Sequence, residues 1–159
     1  MKLELRNLKI NLAFSEETTC FTATLYVEGV STAECRNEGH GGSTDVRAFE
    51  GRDKVLLQAE QYCLTLPPVK YNNIEIKSDI EFVVDELVEA ELKRRDQVQM
   101  QKRMITKLVM QKGHKICTVG WGKTKIADVP PEALARAIEK YTAQGYRILN
   151  TNLPKGESR

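Results

Sequence analysis

Between Ser78 and Gly113 the chain reads as one uninterrupted helix, and no other segment constrains the fold as much. Ser78-Asp79-Ile80-Glu81 has the pattern of a capping box, and Gly113 stands where a glycine ends a helix in the left-handed conformation. The 34 residues from Ile80 to Gly113 would extend about 50 Å at about 1.5 Å per residue. That is longer than one domain of this size is wide. Ile80, Val83, Val84, Leu87 and Val88 make one apolar patch along it, and Val98, Ile105, Leu108 and Val109 make another. Residues 91–97 between them are almost wholly polar, so the middle is expected to be solvated, kinked or covered by a partner.

The sign of the charge changes inside this helix. Over 159 residues, 24 Lys and Arg against 22 Asp and Glu leave a net charge of only +2. Residues 1–92 carry 9 basic and 17 acidic side chains, net −8, and residues 93–159 carry 15 and 5, net +10. An acidic half therefore meets a basic half near Leu92. The length suits one globular domain, or two lobes on the helix: 1–77, a connecting helix 78–113, a lobe 114–153 and a frayed tail 154–159. No stretch approaches the roughly 18 apolar residues of a membrane span. The first residues alternate charge with Leu and Ile instead of forming a signal-peptide core, so a cytoplasmic location is expected.

Residues 3–12 alternate apolar and polar, with a one-residue slip at Asn7 that predicts a bulge. Residues 21–27 and 30–36 are rich in β-branched and aromatic side chains on either side of Glu28-Gly29, a hairpin signal. Phe21, Ala23, Leu25 and Val27 are expected on one face of the resulting antiparallel meander, with Thr22, Thr24 and Tyr26 on the other. A loop over 37–45 follows, then a helix over 52–66 stopped by Pro67-Pro68 and an extended stretch over 69–77. Past Gly113 come a strand over 116–121, a helix from Glu132 to about Ala143 with Pro131 at its start and Gly145 at its end, and a short strand over 146–149. The fold class is α+β: an N-terminal antiparallel β-meander packed with helices, a long central helix and a small C-terminal β-α-β element.

Gly39-His40-Gly41-Gly42-Ser43-Thr44 is the most distinctive local sequence. Successive glycine amides can form a concave nest for an anion, and Ser43 and Thr44 add hydroxyl donors. With Arg36, Asp45 and Arg47 these residues form the candidate site for a phosphate or nucleotide. The plain alternative is a flexible connection in an acidic neighbourhood. Gly120-Trp121-Gly122-Lys123-Thr124 resembles the end of a phosphate-binding loop, but Cys117 occupies the position where that pattern needs glycine, so a basic turn is expected instead. Trp121 would stack on a base, sit in a protein interface or anchor the core.

The second candidate site is basic. Lys93, Arg94, Arg95, Lys102, Arg103 and Lys107 are followed by Lys112, Lys115, Lys123 and Lys125, with Asp96 as the one acid between them. Such a run suits an acidic macromolecule, a nucleic acid, or the acidic 75–91 stretch of a second copy in an antiparallel homodimer through the long helix. His40, Ser43 and Asp45 are the only residues that suggest a catalytic group, without a nucleophile-elbow pattern around them. Cys20, Cys35, Cys63 and Cys117 lack CxxC spacing, so buried thiols are expected, with neither a metal site nor a cofactor.

Residues 20–29 (Cys20-Phe21-Thr22-Ala23-Thr24-Leu25-Tyr26-Val27-Glu28-Gly29), Asn37-Glu38-Gly39-His40-Gly41-Gly42 and Tyr146-Arg147-Ile148-Leu149-Asn150 together resemble a group of short proteins encoded by tailed bacteriophages and prophages. Ser43 stands here where a Cys follows the paired glycines in such proteins. The resemblance implies a context and no catalytic residue: small phage accessory proteins often act by binding, either to inhibit a host defence or to assist phage DNA metabolism. The expected function is therefore that of a non-enzymatic, counter-defence inhibitor that engages a host protein or sequesters a nucleotide signal. The alternatives are a nucleic-acid-binding factor using 93–125 and a small enzyme around His40, Ser43 and Asp45.

Overall fold

Residues 1–71 and 74–153 are described by the structure, a computed structural model, and the chain divides into two compact units, Met1–Leu92 and Lys93–Arg159. In the first unit, β1 (Leu3–Ile10), β2 (Phe21–Val27), β3 (Val30–Asn37) and β4 (Asp45–Ala48) form one antiparallel sheet in chain order. The slip at Asn7 is a bulge: its φ is +55° and the pairing with β2 breaks between Arg6 and Lys9. Glu28 and Gly29 both have positive φ, +49° and +80°, the geometry of a two-residue turn whose twist matches the strands it joins. Phe21, Ala23, Leu25 and Val27 are all buried while Thr22 is exposed, as the alternation predicts.

That buried face is covered by two helices, α1 (Asp53–Leu64) and the opening turns of α2 (Ile80–Thr106). Leu56, Ala59 and Cys63 from α1 and Ile80, Val84 and Val88 from α2 join the strands in one core. Burying each such aliphatic side chain contributes about 1.5–3 kcal/mol before entropy is counted. The 69–77 stretch is a small hairpin of β5 (Val69–Tyr71) and β6 (Ile74–Ile76), with residues 72–73 outside the described residues. Asp45, expected at the end of the loop, opens strand β4, whose residues 46–48 had no expected element. The strand pairs with β3, setting Val46 beside Cys35. The cap of α2 is Asp79 and not Ser78: Asp79 Oδ1 accepts from the Phe82 amide at 2.8 Å, and Ser78 Oγ donates to the Pro67 carbonyl at 2.9 Å.

In the second unit the long helix stops seven residues short of Gly113. Lys107–Lys112 is a strand, β7, paired with β8 (Lys115–Gly120) across a Gly113-His114 turn, so Gly113, with φ +58°, closes a hairpin. His114 accordingly sits in a turn and not at a helix terminus. The reason is burial: Leu108, Val109 and Met110 are 0 %, 0 % and 1 % exposed, and three consecutive buried residues suit a central strand covered on both faces, not a helix face. β7 is flanked by β8 and by β9 (Arg147–Ile148). A 3₁₀ turn, Ile126–Asp128, the Val129 that follows it and helix α3 (Pro131–Ala143) supply Ile126, Val129 and Leu134 to a second core around Leu108 and Met110. The C-terminal element is therefore β-β-α-β. Residues 154–159, expected as a frayed tail, lie outside the described residues.

Candidate functional site

The glycine loop is held from below by Asn37, the last residue of β3 and only 5 % exposed. Its Oδ1 accepts from Thr18 Oγ1 at 2.8 Å and from the Gly39 amide at 2.9 Å, while its Nδ2 donates to the Gly42 carbonyl and to Thr44 Oγ1, both at 3.1 Å. The Gly41 amide donates to Thr18 Oγ1 at 3.2 Å. Gly39 has φ +90°, and a Cβ there would stand 2.1 Å from the Phe14 carbonyl oxygen, so no other residue fits. The Gly39 carbonyl in turn accepts from the amides of Glu16, Glu17 and Thr18 at 2.9, 3.0 and 3.3 Å. Two of the amides expected to cradle an anion are thus spent within the loop.

One hydroxyl is spent as well, and on a carboxylate. Thr44, 1 % exposed, donates to Asp85 Oδ1 at 2.5 Å. Glu81, Asp85 and Glu89 recur every fourth residue on α2, which aligns them on one helix face beside the core positions Val84 and Val88. Burial pushes the Asp85 carboxyl above its ordinary range, the Thr44 hydroxyl opposes this, and the neighbouring Asp79, Glu89 and Glu86 raise it further. Glu81 is raised chiefly by burial too, then by Asp79 and Asp85. Of the donors that the sequence offers to a phosphate, the Thr44 hydroxyl is occupied by the protein's own Asp85 carboxylate, and the Gly39 and Gly41 amides by Asn37 and Thr18.

Of the predicted ligand set, Arg36, His40, Gly42, Ser43, Asp45 and Arg47 line one depression of about 560 Å³, with Asn37 and Glu38. Gly39, Gly41 and Thr44 do not line it. Both arginines have acidic partners: Arg36 Nη2 lies 2.6 Å from Glu38 Oε1, and Arg47 Nη2 lies 3.0 Å from Asp45 Oδ2. A second cavity of about 410 Å³ on this side is lined by Glu16, Glu17, Asp85 and Glu89 among hydroxyl side chains. His40, Ser43 and Asp45 do not form a relay: His40 Nδ1 meets Glu16 Oε2 at 3.2 Å, and Asp45 Oδ2 accepts from Arg47 Nη2 at 3.0 Å. Among the described residues no group of three His, Cys, Asp or Glu is arranged to hold a metal ion.

The basic candidates are spread over several elements. Lys93, Arg94, Arg95, Lys102 and Arg103 are exposed on α2, and Lys107 is exposed at the start of β7. Lys123 is exposed in the turn closed by the Thr124 amide on the Trp121 carbonyl at 3.1 Å. Trp121 itself is half-buried and packs on the second core. Tyr141 and Tyr146 meet edge to face with ring centres 6.0 Å apart, and Lys112 Nζ donates to the Gln144 carbonyl at 2.7 Å beside them. No aromatic ring of this unit is left fully open to solvent among the described residues.

The residues that organise both regions, Asn37 with Thr18 and Asp85 in the first and Asn150 in the second, were not among the predicted site residues. A signal for Asp85 exists, the four-residue repeat of acids flanking the core stripe. None exists for Thr18, which reaches Asn37 across 19 positions of chain. Comparison with protein-family profiles, with curated proteins and with solved structures finds no match.

Proposed function

We propose that this is a phage-encoded accessory protein that acts by binding, and that its partner is a host protein presenting an acidic surface to Lys93, Lys102, Arg103 and Lys107. The observation that carries the reading is the coincidence of two boundaries. The charge changes sign near Leu92, and the two compact units divide between Leu92 and Lys93. Each unit therefore projects a field of one sign, and a basic unit of net +10 attracts and orients an acidic partner over distances of about 10 Å at physiological salt.

Sequestration of a nucleotide by the glycine loop is the weaker form of the proposal, because the loop's donors serve Asn37, Thr18 and Asp85. Binding of nucleic acid is weaker than binding of protein because Trp121 packs on a core and base stacking needs an open ring. Exposed aliphatic side chains among the basic ones, Ile105 and Ile116 at 48 % each, suit a protein surface. The test is affinity capture from nuclease-treated lysate of phage-infected cells, comparing the wild type with the quadruple variant Lys93→Glu, Lys102→Glu, Arg103→Glu, Lys107→Glu. The proposal expects a protein retained by the wild type and lost from the variant, with both folded by circular dichroism. The same proteins on both would refute it.

A further inference from the structure

The first unit carries an apolar groove that its own core leaves open. Leu66, Pro67, Val69, Phe82, Val83 and Leu87 line a cavity of about 340 Å³, with Glu86 at its edge. Val69 and Ile76, cross-strand partners beside it, are 42 % and 36 % exposed, and Leu64 at the end of α1 is 60 % exposed. An open apolar groove with exposed apolar side chains on the same unit is surface that a docked segment would cover.

We infer that the occupant is the basic stretch of α2, residues 93–106, of a second copy of this chain. Charge and spacing both select it. The groove belongs to the unit of net −8, and the stretch to the unit of net +10. Val98, Lys102 and Ile105 are separated by four and three residues, and Val83, Glu86 and Ala90 by three and four. Laid antiparallel, the two segments match: Ile105 faces Val83, Lys102 faces Glu86 and Val98 faces Ala90. Residues at these spacings share one helix face. The exposed Ile105 then covers apolar surface, the exposed Glu86 meets an opposite charge, and the helix dipoles run against each other.

This rests on the same basic segment that the proposed function assigns to a host partner, and it adds a regulatory consequence. A segment seated in a second copy is withheld from the partner, so self-association and partner binding compete.

Sedimentation equilibrium of the purified full-length chain tests the inference without any partner. It expects a self-associating protein that dissociates as salt rises. Glu86→Lys and Lys102→Glu each raise the apparent dissociation constant by about fivefold or more, and the two changes combined in one chain restore association. Both sites are exposed, and circular dichroism checks that each variant is folded. A monomer at low salt, single variants that associate like the wild type, or a combination that stays weak would each overturn it. The partner reading is separated by Glu86→Lys, which keeps the basic segment. Capture of a host protein by this variant together with a monomeric wild type rejects self-pairing alone. Self-pairing with no captured partner rejects the proposed function alone.

Discussion

At Asn37 one side chain makes four hydrogen bonds and joins Thr18, the loop backbone and Thr44, through which the chain of bonds ends on Asp85. Truncation leaves buried donors and acceptors without partners, at about 1–3 kcal/mol for such groups. Asn37→Ala is therefore expected to lower unfolding stability by about 2–4 kcal/mol in urea titrations, far more than Arg36→Ala on the same strand. Asp85 gives a second prediction. Its folded pKa lies above the ordinary value of 3.8, so its contribution to stability is present below 3.8 and is lost as pH rises through the raised value. Asp85→Asn keeps a polar partner for Thr44 and removes the buried charge. The variant should melt above the wild type at neutral pH, and the gap should close as pH falls through the carboxylate range. A gap that widened on acidification would contradict this. The cysteines give a third: burial pushes Cys35 up to about 12 and raises Cys63. In the native protein only the half-buried Cys20 and Cys117 should take up iodoacetamide, because the thiolate is the reacting form. Mass spectrometry before and after unfolding reads this directly.

Among the elements, the end of α2 depends on a residue far along the chain. Asn150 Nδ2 donates to the carbonyls of Met104 and Lys107 at 3.2 and 3.0 Å, its Oδ1 accepts from the Val109 amide at 2.6 Å, and Asn152 Nδ2 adds a bond to Met104 at 3.0 Å. These side chains satisfy helix-terminal and strand-edge groups where the helix passes directly into β7. Asn150→Ala is expected to cost about 2 kcal/mol and to increase hydrogen exchange first at Val109, whereas Asn152→Ala costs less. This junction is also where the sequence misleads. Ile105, Leu108 and Val109 fit a helical spacing, and Gly113 fits a helix end, so periodicity alone extends the helix. What ends it is pairing with β8 and β9 and capping by Asn150, all contributed by later residues. Strand β2, its hairpin and the Asn7 bulge were legible because their signals are local: alternation, two adjacent turn residues and a slip of one position. The candidate loop was legible as a loop and not as a network, since its partners Thr18 and Asp85 lie 19 and 41 residues from the residues they bind.

For the whole molecule, the small net charge of +2 hides two bodies of opposite sign. The acidic unit turns Asp85 inward onto the Thr44 hydroxyl, while the basic unit leaves Lys93, Lys102, Arg103 and Lys107 exposed. The proposed partner-binding surface therefore lies on the basic unit, while the loop's hydrogen bonds hold its own fold together. The most direct measurement is the association rate of the captured host protein with the full chain across a salt series, for the wild type and for the quadruple charge reversal. The account predicts a wild-type rate that falls steeply with salt and a variant rate about tenfold or more lower at low salt, with little salt dependence. Equal rates for the two proteins at every salt concentration would contradict it.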